Sequence, residues 1–297
     1  MSAEPAAGPA PDLPTNRGRW GAQDERGTLN FITDEARARG AALARTGRTV
    51  SLAHPLDPTS LASFPVPFGL APMPAAVQQI LVYTGSPAYA LSDVLVVNTH
   101  HIAMTHIDAL SHICAGNEVY PGVPLADVVV QGSVRHGSTA PFAEGIVTAG
   151  VLLDLAPGGR LDPGHPITGA DLDAAEQRAG TRVQSGDAVV VRGGWVVHRD
   201  LAEPLPAITL DAVRWLAERE VSVIAGDIGD APPGLGGPPL LHAVGLARLG
   251  LPLIDNAAVE QLAGVCAETG RYSFLFTLGV LPVHGATGAP ANPLAIF

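Results

Sequence analysis

Four of the ten histidines of the chain fall within one short stretch, THHIAMTHIDALSH, which spans residues 99–112. His106 and Asp108 stand two residues apart, so on an extended segment both side chains leave the same face. Imidazole plus carboxylate is a ligand pair that a divalent metal accepts. His112 follows shortly after, and its ordinary pKa near neutrality suits a general acid or base. The stretch predicts a metal or acid–base site, with a histidine-rich surface loop as the alternative.

The segment THIDALSH resembles the core of the Putative cyclase family, which includes bacterial kynurenine formamidase and isatin hydrolase and has the signature HxGTHxDxPxH. The similarity to the longer bacterial members runs from about Arg19 to Phe297. The other blocks that agree are RWGAQDERGTLNFIT, VYPGVPLADVV, EGIVTAGVLLDLA, SGDAVVVRGGW, HAVGLARLGLPLIDNAAVEQLA and ATGAPANPLAIF. The resemblance is specific for family and fold, and much less specific for substrate.

The resemblance implies a swivelling β/β/α-type fold and a divalent metal, zinc or manganese, held by the first His, the second His and the Asp of the motif. By position in this sequence, the second His is His106 and the Asp is Asp108. The last His of the motif is His112, which the resemblance assigns to the substrate. A histidine and an acidic residue nearer the C-terminus assist it, and they correspond to His242 and Asp255, where shorter members have Glu.

The first metal ligand of the motif has no counterpart at its expected place, because four residues before His106 the chain has Ile102. His101 replaces it if a bulge re-aims the side chain, since on a regular strand His101 and His106 face opposite sides. His100 is in phase with His106 but, at ~3.3 Å per residue, is expected ~20 Å away. One alternative is a metal site that His101 completes. The other is a weakened or metal-free site, which the isoleucine at position 102 favours because it cannot bind a metal.

Composition narrows the class of protein further. All 17 basic residues are arginine and the net charge is −11, so a Schiff-base or phosphate-loop lysine is impossible. An acidic chain without a basic run lacks the surface for nucleic-acid or anionic-membrane binding. The two cysteines lie far apart in sequence and cannot build a thiolate zinc site. No apolar run reaches the ~18 residues that a helix needs to span a bilayer. We expect a cytoplasmic protein that acts on a small molecule, and the family implies a homodimer.

The 34 glycines and 27 prolines predict short elements joined by tight turns. The apolar runs AVVVR and VSVIA indicate a sheet that is buried on both faces. Strands are predicted over 49–52, 79–83, 93–98, 150–155, 188–192, 221–225 and 272–278, and helices over 33–47, 169–180, 209–219 and 256–269. The prediction is one α/β domain over 19–297, a mixed sheet covered by helices, after a disordered tail over 1–18. Asp227 and Asp230 could approach a site from the end of a strand, but solvated loop residues are the favoured alternative.

Three classes of function stay open. The first is a metal-dependent, kynurenine formamidase-like hydrolase of a small amide, lactam or formamide, in which His112 moves the proton. The second is a metal-free cyclase or dehydratase of specialised, polyketide-type metabolism, with His112 and His242 as base and acid. The third is a non-catalytic ligand-binding relative that keeps the fold.

Overall fold

We describe a computed structural model of the chain over residues 12–56, 75–195, 203–230 and 240–297. The strands are β1 (Thr49–Ser51), β2 (Val77–Thr84), β3 (Ala90–Val97), β4 (His106–Asp108), β5 (Glu118–Val119), β6 (Val123–Pro124), β7 (Val129–Val130), β8 (Ser133–Val134), β9 (Ile146–Asp154), β10 (Pro166–Ile167), β11 (Ala188–Arg192), β12 (Ala207–Ile208), β13 (Val223–Gly226), β14 (Leu253–Asp255), β15 (Ser273–Leu278), β16 (Gly288–Pro290) and β17 (Leu294–Ile296). The helices are α1 (Asp34–Ala41), α2 (Leu125–Val128), α3 (Gly169–Ala179), α4 (Leu210–Glu218) and α5 (Glu260–Thr269), with 3-10 turns at Gly27–Phe31 and Ala140–Phe142 and a π-helix at Leu241–Leu249.

Nine strands form one mixed sheet in the order β1-β17-β15-β9-β11-β13-β14-β4-β16. The four central strands β9, β11, β13 and β14 run parallel, and the strands on either side of them pair antiparallel. Both β11 and β13 are buried along their whole length. Continuous apolar runs suit strands that are covered on both faces. Helices α1, α3 and α5 pack against β9, the strand next to β11. The predicted α/β class, with a mixed sheet covered by helices, is confirmed.

Threonine side chains start three of the four longer α-helices. Thr33, Thr168 and Thr209 each accept a hydrogen bond from the backbone N–H three residues on, which satisfies a free donor of the first turn. At Thr168 the Asp171 carboxylate also accepts the backbone N–H of the threonine, which completes a capping box. The predicted starts of these helices are therefore close to the observed ones.

Two predicted helix boundaries differ by several residues from the structure. The helix predicted from Asn256 begins four residues later at Glu260, because Asn256 adopts a positive φ of 54° and its carbonyl accepts the Thr105 hydroxyl. The helix predicted over 33–47 ends at Ala41. The π-helix Leu241–Leu249 has no counterpart among the predicted elements.

Part of the predicted disordered tail packs on the domain. Residues 1–11 of that prediction lie outside the described residues. Asn16 is buried, with its backbone N–H donating to the Arg248 carbonyl and its side-chain amide donating to the Leu249 carbonyl. The segment that leads into the domain is thus held at the end of the π-helix.

Among the helices of the described ranges, none is long and apolar enough to cross a membrane.

Strands β2 and β3 form an antiparallel hairpin of eight residue pairs. Within the described part of the chain, this hairpin is a separate two-stranded sheet and pairs with no strand of the large sheet. Three residues after β3 ends, the chain reaches His100. The hairpin is therefore adjacent in sequence to the histidine-rich segment.

Candidate active site

The short strand β4 carries His106 and Asp108 between β14 and β16, antiparallel to both. The β14 register places Asp255 directly opposite His106, and the β16 register places Gly288 opposite Asp108. Directly opposed residues of an antiparallel pair project to the same face. His106 and Asp108 share one face of the sheet because they are two residues apart. The register therefore brings Asp255 to the same side of the sheet as both of them.

The Asp108 carboxylate is the centre of a cluster of four imidazoles. It is fully buried, and Oδ1 lies 3.0 Å from His100 Nδ1 and 3.5 Å from His106 Nε2. Oδ2 lies 3.4 Å from His242 Nε2 and 3.9 Å from His112 Nε2. Within the described ranges, no donor makes a hydrogen bond of good geometry to either oxygen. Burial raises the pKa of Asp108, but the surrounding imidazoles outweigh burial and lower it, so the carboxylate stays ionised.

His100, and not His101, stands beside Asp108. Residues 98–104 form successive turns, with the His101 N–H donating to the Asn98 carbonyl and the Met104 N–H donating to the His101 carbonyl. The turns fold the chain back, so the His100 ring lies 5.1 Å from the His106 ring. The expected separation of ~20 Å is therefore wrong, because it assumed a regular strand of ~3.3 Å per residue.

The structure places His101, the residue predicted to replace the missing ligand, in a different environment. Its ring is buried, and Nδ1 accepts the backbone N–H of Ala103 at 3.1 Å. Of the two side-chain groups of metal-binding geometry found among the described residues, one contains His100 and neither contains His101. A histidine two places before Ile102 therefore supplies the imidazole that the motif spacing lacks.

Outer contacts fix which nitrogen of each ring faces Asp108. His106 Nδ1 donates to the Met104 carbonyl at 2.8 Å, which leaves Nε2 toward the carboxylate. His100 Nε2 lies 3.0 Å from Thr287 Oγ1, which leaves Nδ1 toward the carboxylate. Contacts of this kind set the tautomer and orientation of a histidine that binds metal. Thr287 was missed by the sequence analysis, although it lies in the block ATGAPANPLAIF.

His242 occupies the first turn of the π-helix, an element that is rare and often found at functional sites. Its Nε2 lies 3.4 Å from carboxylate oxygens of both Asp108 and Asp255, and Nδ1 lies 2.8 Å from Asp230 Oδ2. Burial lowers the pKa of His242, but the three carboxylates outweigh burial and raise it to about 12. The ring is held in its protonated form.

The prediction that Asp227 and Asp230 are solvated is wrong. The Asp230 carboxylate accepts the backbone N–H groups of Leu241 and His242 and contacts the His242 ring, so it both caps the π-helix and orients the imidazole. Asp227 is buried and accepts the backbone N–H groups of Gly193 and Trp195, which gives it a structural position at the end of β13.

His112 stacks on His100 with ring centroids 3.8 Å apart and planes 11° from parallel. Burial lowers the pKa of His112 to about 4, and the neighbouring Asp108 opposes this only in part. The ring is therefore neutral near pH 7 and can accept a proton. The side chains of His100 and His112 remain 26% and 22% exposed, so solvent reaches this end of the cluster.

The cluster fits a divalent metal ion. Two groups, His100–Asp108–His112 and His106–Asp108–Asp255, have ligand atoms within 4.8 Å of one another and share Asp108. The buried oxygens of Asp108 and the buried Nδ1 of His100 make no hydrogen bond within the described ranges, so they are free to act as ligands. Imidazole nitrogen and carboxylate oxygen are ligands that zinc and manganese accept.

Comparison with protein families identifies the class of protein that this fold and site define. Residues 50–231 match the model of the family described as Putative cyclase, and the chain belongs to that family. A crystal structure of a novel cyclase has a TM-score of 0.82 and 30% sequence identity, and the alignment covers 96% of this chain and all of the other. The fold prediction from the sequence motif is thereby confirmed.

Two isatin hydrolases share the fold at lower similarity. Isatin hydrolase A from Ralstonia solanacearum has 25% identity and a TM-score of 0.60, with 87% of this chain and 95% of the other covered. Isatin hydrolase A from Labrenzia aggregata, bound to benzyl benzoate, has 23% identity and a TM-score of 0.62, with 84% and 93% covered. Among curated proteins, none matches the sequence significantly.

Proposed function

We propose that the chain is a metal-dependent hydrolase that opens the carbon–nitrogen bond of a small amide, lactam or formamide. The observation that carries this proposal is the buried Asp108 carboxylate, whose two oxygens make no hydrogen bond in the described ranges and face imidazole nitrogens on several sides. Leaving buried carboxylate oxygens without hydrogen bonds is costly, and a divalent ion among these groups would offset that cost.

His100, His106, Asp108 and Asp255 are the residues that would hold the ion. A divalent ion bound here polarises a carbonyl oxygen and lowers the pKa of water. Thr287 and the Met104 carbonyl keep the two imidazoles oriented, so the ligand nitrogens are in place before an ion arrives.

His112 and His242 divide the proton transfers between them. In amide hydrolysis, a water oxygen bonds to the carbonyl carbon, the carbon–nitrogen bond breaks, and the nitrogen gains a proton. His112, which burial keeps neutral, takes the proton from water and returns it to the leaving nitrogen. His242, which the carboxylates of Asp230 and Asp255 keep protonated, donates a hydrogen bond at the carbonyl side.

The choice of an amide or lactam draws support from the relatives. The solved structures that share this fold include isatin hydrolases, one of them at 25% identity. By this similarity we propose a cyclic or N-formyl amide of modest size, the class that also includes kynurenine formamidase substrates.

A second candidate is a cyclase or dehydratase that works without metal. The observation that favours it is the pairing of a neutral His112 with a protonated His242, whose ring centroids lie 6.0 Å apart. A base and an acid at this separation suit proton abstraction and return on a single activated carbonyl compound.

Metal analysis separates the two candidates. We expect the purified protein to hold zinc or manganese in stoichiometric amount, measured by inductively coupled plasma mass spectrometry after dialysis. Protein that takes up neither ion on reconstitution would contradict the hydrolase and favour the second candidate.

The same measurement tests the ligand set. His100→Ala should weaken metal binding by more than the ~10 to 100-fold that follows loss of an outer contact. His101→Asn, which keeps an acceptor for the Ala103 N–H, is the matched control and should bind metal as the unmodified chain does. The assignment of His100 fails if His101→Asn loses the metal and His100→Ala keeps it.

A further inference from the structure

The block RWGAQDERGTLNFIT, residues 19–33, has no part in the chemistry proposed above. We call it the N-terminal loop. It contains two adjacent carboxylates, Asp24 and Glu25, and the two side chains contact different parts of the protein.

Asp24 holds the N-terminal loop in its own conformation. Its carboxylate accepts hydrogen bonds from the backbone N–H groups of Arg26 and Gly27, from the Asn30 side-chain amide and from the Tyr120 hydroxyl. These contacts satisfy backbone donors of the loop and tie it to the core. They do so without any contribution from the neighbouring Glu25.

Glu25 contacts a segment that leads to the candidate active site. Its Oε2 accepts the backbone N–H of Gly137 at 2.6 Å, and the Gly137 carbonyl accepts the backbone N–H of Ser111 at 3.0 Å. Hydrogen bonds to a carboxylate are shorter and stronger than those between neutral groups. Because Ser111 directly precedes His112, these two hydrogen bonds connect the N-terminal loop to the backbone of the catalytic turn.

His136 fixes Gly137 from a second direction. Its ring is buried, and Nε2 donates to the Tyr120 carbonyl at 3.0 Å. The other ring nitrogen, Nδ1, lies 4.0 Å from Glu25 Oε2. The backbone at residues 136–137 is therefore held on two sides, which makes the Gly137 carbonyl a well-defined acceptor.

The turn that carries His112 is held by backbone hydrogen bonds from outside it. The Ala109 N–H donates to the Thr287 carbonyl at 2.9 Å, and the Ser111 N–H donates to the Gly137 carbonyl. The Ser111 hydroxyl is buried and makes no hydrogen bond within the described residues, so the serine side chain does not anchor the turn. The contact with Gly137 is the one that lies next to His112.

Gly137 is matched to this contact in conformation and in size. It adopts a positive φ of 73°, and a β-carbon there would come 3.1 Å from the Ser111 backbone nitrogen. Glycine adopts positive φ without steric cost and lets two backbones approach closely.

We propose that Glu25 is a positioning residue for the reaction and acts through Gly137 and Ser111 to place His112. The inference rests on the proposed function, in which His112 takes a proton from water and returns it to the leaving nitrogen. An acid–base group must lie within hydrogen-bond reach of the proton that it moves. Misplacement of a catalytic group by ~1 Å costs ~100-fold in rate.

Steady-state kinetics with isatin, and with N-formylkynurenine as a second probe, test the role of Glu25. Glu25→Ala should lower kcat by ~10 to 100-fold with KM unchanged, because position is needed in the transition state. Metal content should also stay the same, since no proposed metal ligand lies in the turn. Glu25→Gln should retain most of the rate, because its carboxamide oxygen still accepts the Gly137 N–H.

Glu144→Ala is the matched control. Glu144 is 67% exposed and accepts a hydrogen bond from Arg26 of the same loop, so its removal also costs the loop one ion pair. We expect its kcat to match that of the unmodified chain. An equal loss of kcat in Glu25→Ala and Glu144→Ala would overturn the proposal.

The His112→Ala background separates positioning from general stabilisation. Because Glu25 acts through His112, adding Glu25→Ala to His112→Ala should lower the residual kcat no further. A loss in the double variant that equals the product of the two single losses would show that Glu25 acts by another route, and the proposal would fail.

Hydrogen exchange measured by NMR spectroscopy tests the same contacts without a substrate. Glu25→Ala should raise the exchange rate of the Ser111 amide by ~10-fold, because the charge-assisted hydrogen bond that holds its acceptor is lost. Glu25→Gln should leave that rate unchanged. An unchanged rate in Glu25→Ala would overturn the proposal. Absence of hydrolysis with both probes would instead contradict the proposed function, and the Ser111 rate would still decide whether Glu25 holds the turn.

A pair of glycines provides a probe that leaves Glu25 intact. Gly137→Ala places a β-carbon against Ser111 and should lower kcat as Glu25→Ala does. Gly132→Ala is its control, because Gly132 has nearly the same φ, 74°, and a β-carbon there meets nothing within 4 Å. Equal losses in the two glycine variants would contradict the assigned contact with Ser111. Far-UV circular dichroism checks that each variant is folded.

Discussion

Gly288 lies against the imidazole of His100 so closely that a β-carbon on Gly288 would come 2.7 Å from His100 Cε1 and 2.7 Å from the Ile107 carbonyl oxygen. We expect Gly288→Ala to push His100 away from Asp108, with loss of activity and of metal affinity. Overpacking of this kind costs ~1 to 3 kcal/mol of stability, measured by denaturant unfolding. Gly279→Ala is the control, because its β-carbon meets nothing within 4 Å, and equal loss in both variants would contradict the role of Gly288.

Asp230→Asn should lower kcat by ~10 to 100-fold, as loss of an outer contact to a functional histidine does. Because the Asp230 carboxylate helps to raise the pKa of His242, its removal lowers that pKa, and the alkaline limb of the kcat–pH profile should move to lower pH. Asp211→Asn is the matched control, since Asp211 also accepts a backbone N–H at a helix start, that of Gly169. A profile that moves in neither variant would leave Asp230 with a purely structural role.

His112→Ala should lower turnover by ~100 to 10,000-fold, the usual effect of a positioned acid or base. Metal content should not change, because the four residues proposed to hold the ion, His100, His106, Asp108 and Asp255, are all retained. Paired turnover and metal measurements check this expectation, with His165→Ala as a control outside the cluster. Loss of the ion together with His112 would show that His112 is a ligand.

The two cysteines should differ sharply toward thiol reagents. Cys266 is fully buried, and burial raises the pKa of its thiol to about 12, whereas Cys114 is exposed. Only the thiolate reacts, so a chromogenic disulfide reagent at about pH 8 should count one thiol in the native protein and two after unfolding. Two fast thiols in the folded chain would contradict the observed packing around Cys266.

The centre of the sheet was predictable because its signal is local. The run AVVVR gives β11 with the predicted bounds Ala188–Arg192, and Thr168 and Thr209 mark helix starts by their own side-chain chemistry. The π-helix Leu241–Leu249 could not be predicted from its own residues. The backbone N–H groups of Leu241 and His242 donate to the Asp230 carboxylate, which residues 231–240 separate from the helix in sequence.

Spacing alone predicted the candidate site only where two residues share one strand, and the family resemblance supplied His112, His242 and Asp255. The spacing of His106 and Asp108 gives their common face directly. His100 was misjudged because its approach depends on turns over 98–104 and on the absence of a β-carbon at Gly288, and neither is visible in a strand pattern. Asp230 was misjudged because sequence alone does not distinguish a carboxylate that caps a helix from one that faces solvent.

The contact between His100 and Thr287 joins positions 187 residues apart. Contacts over such a separation slow folding, because chain entropy is lost before any contact compensates for it. Thr287 can therefore orient His100 only when β16 has docked beside β4. Capture of an ion through His100 would therefore report that these two distant segments of the chain have come together.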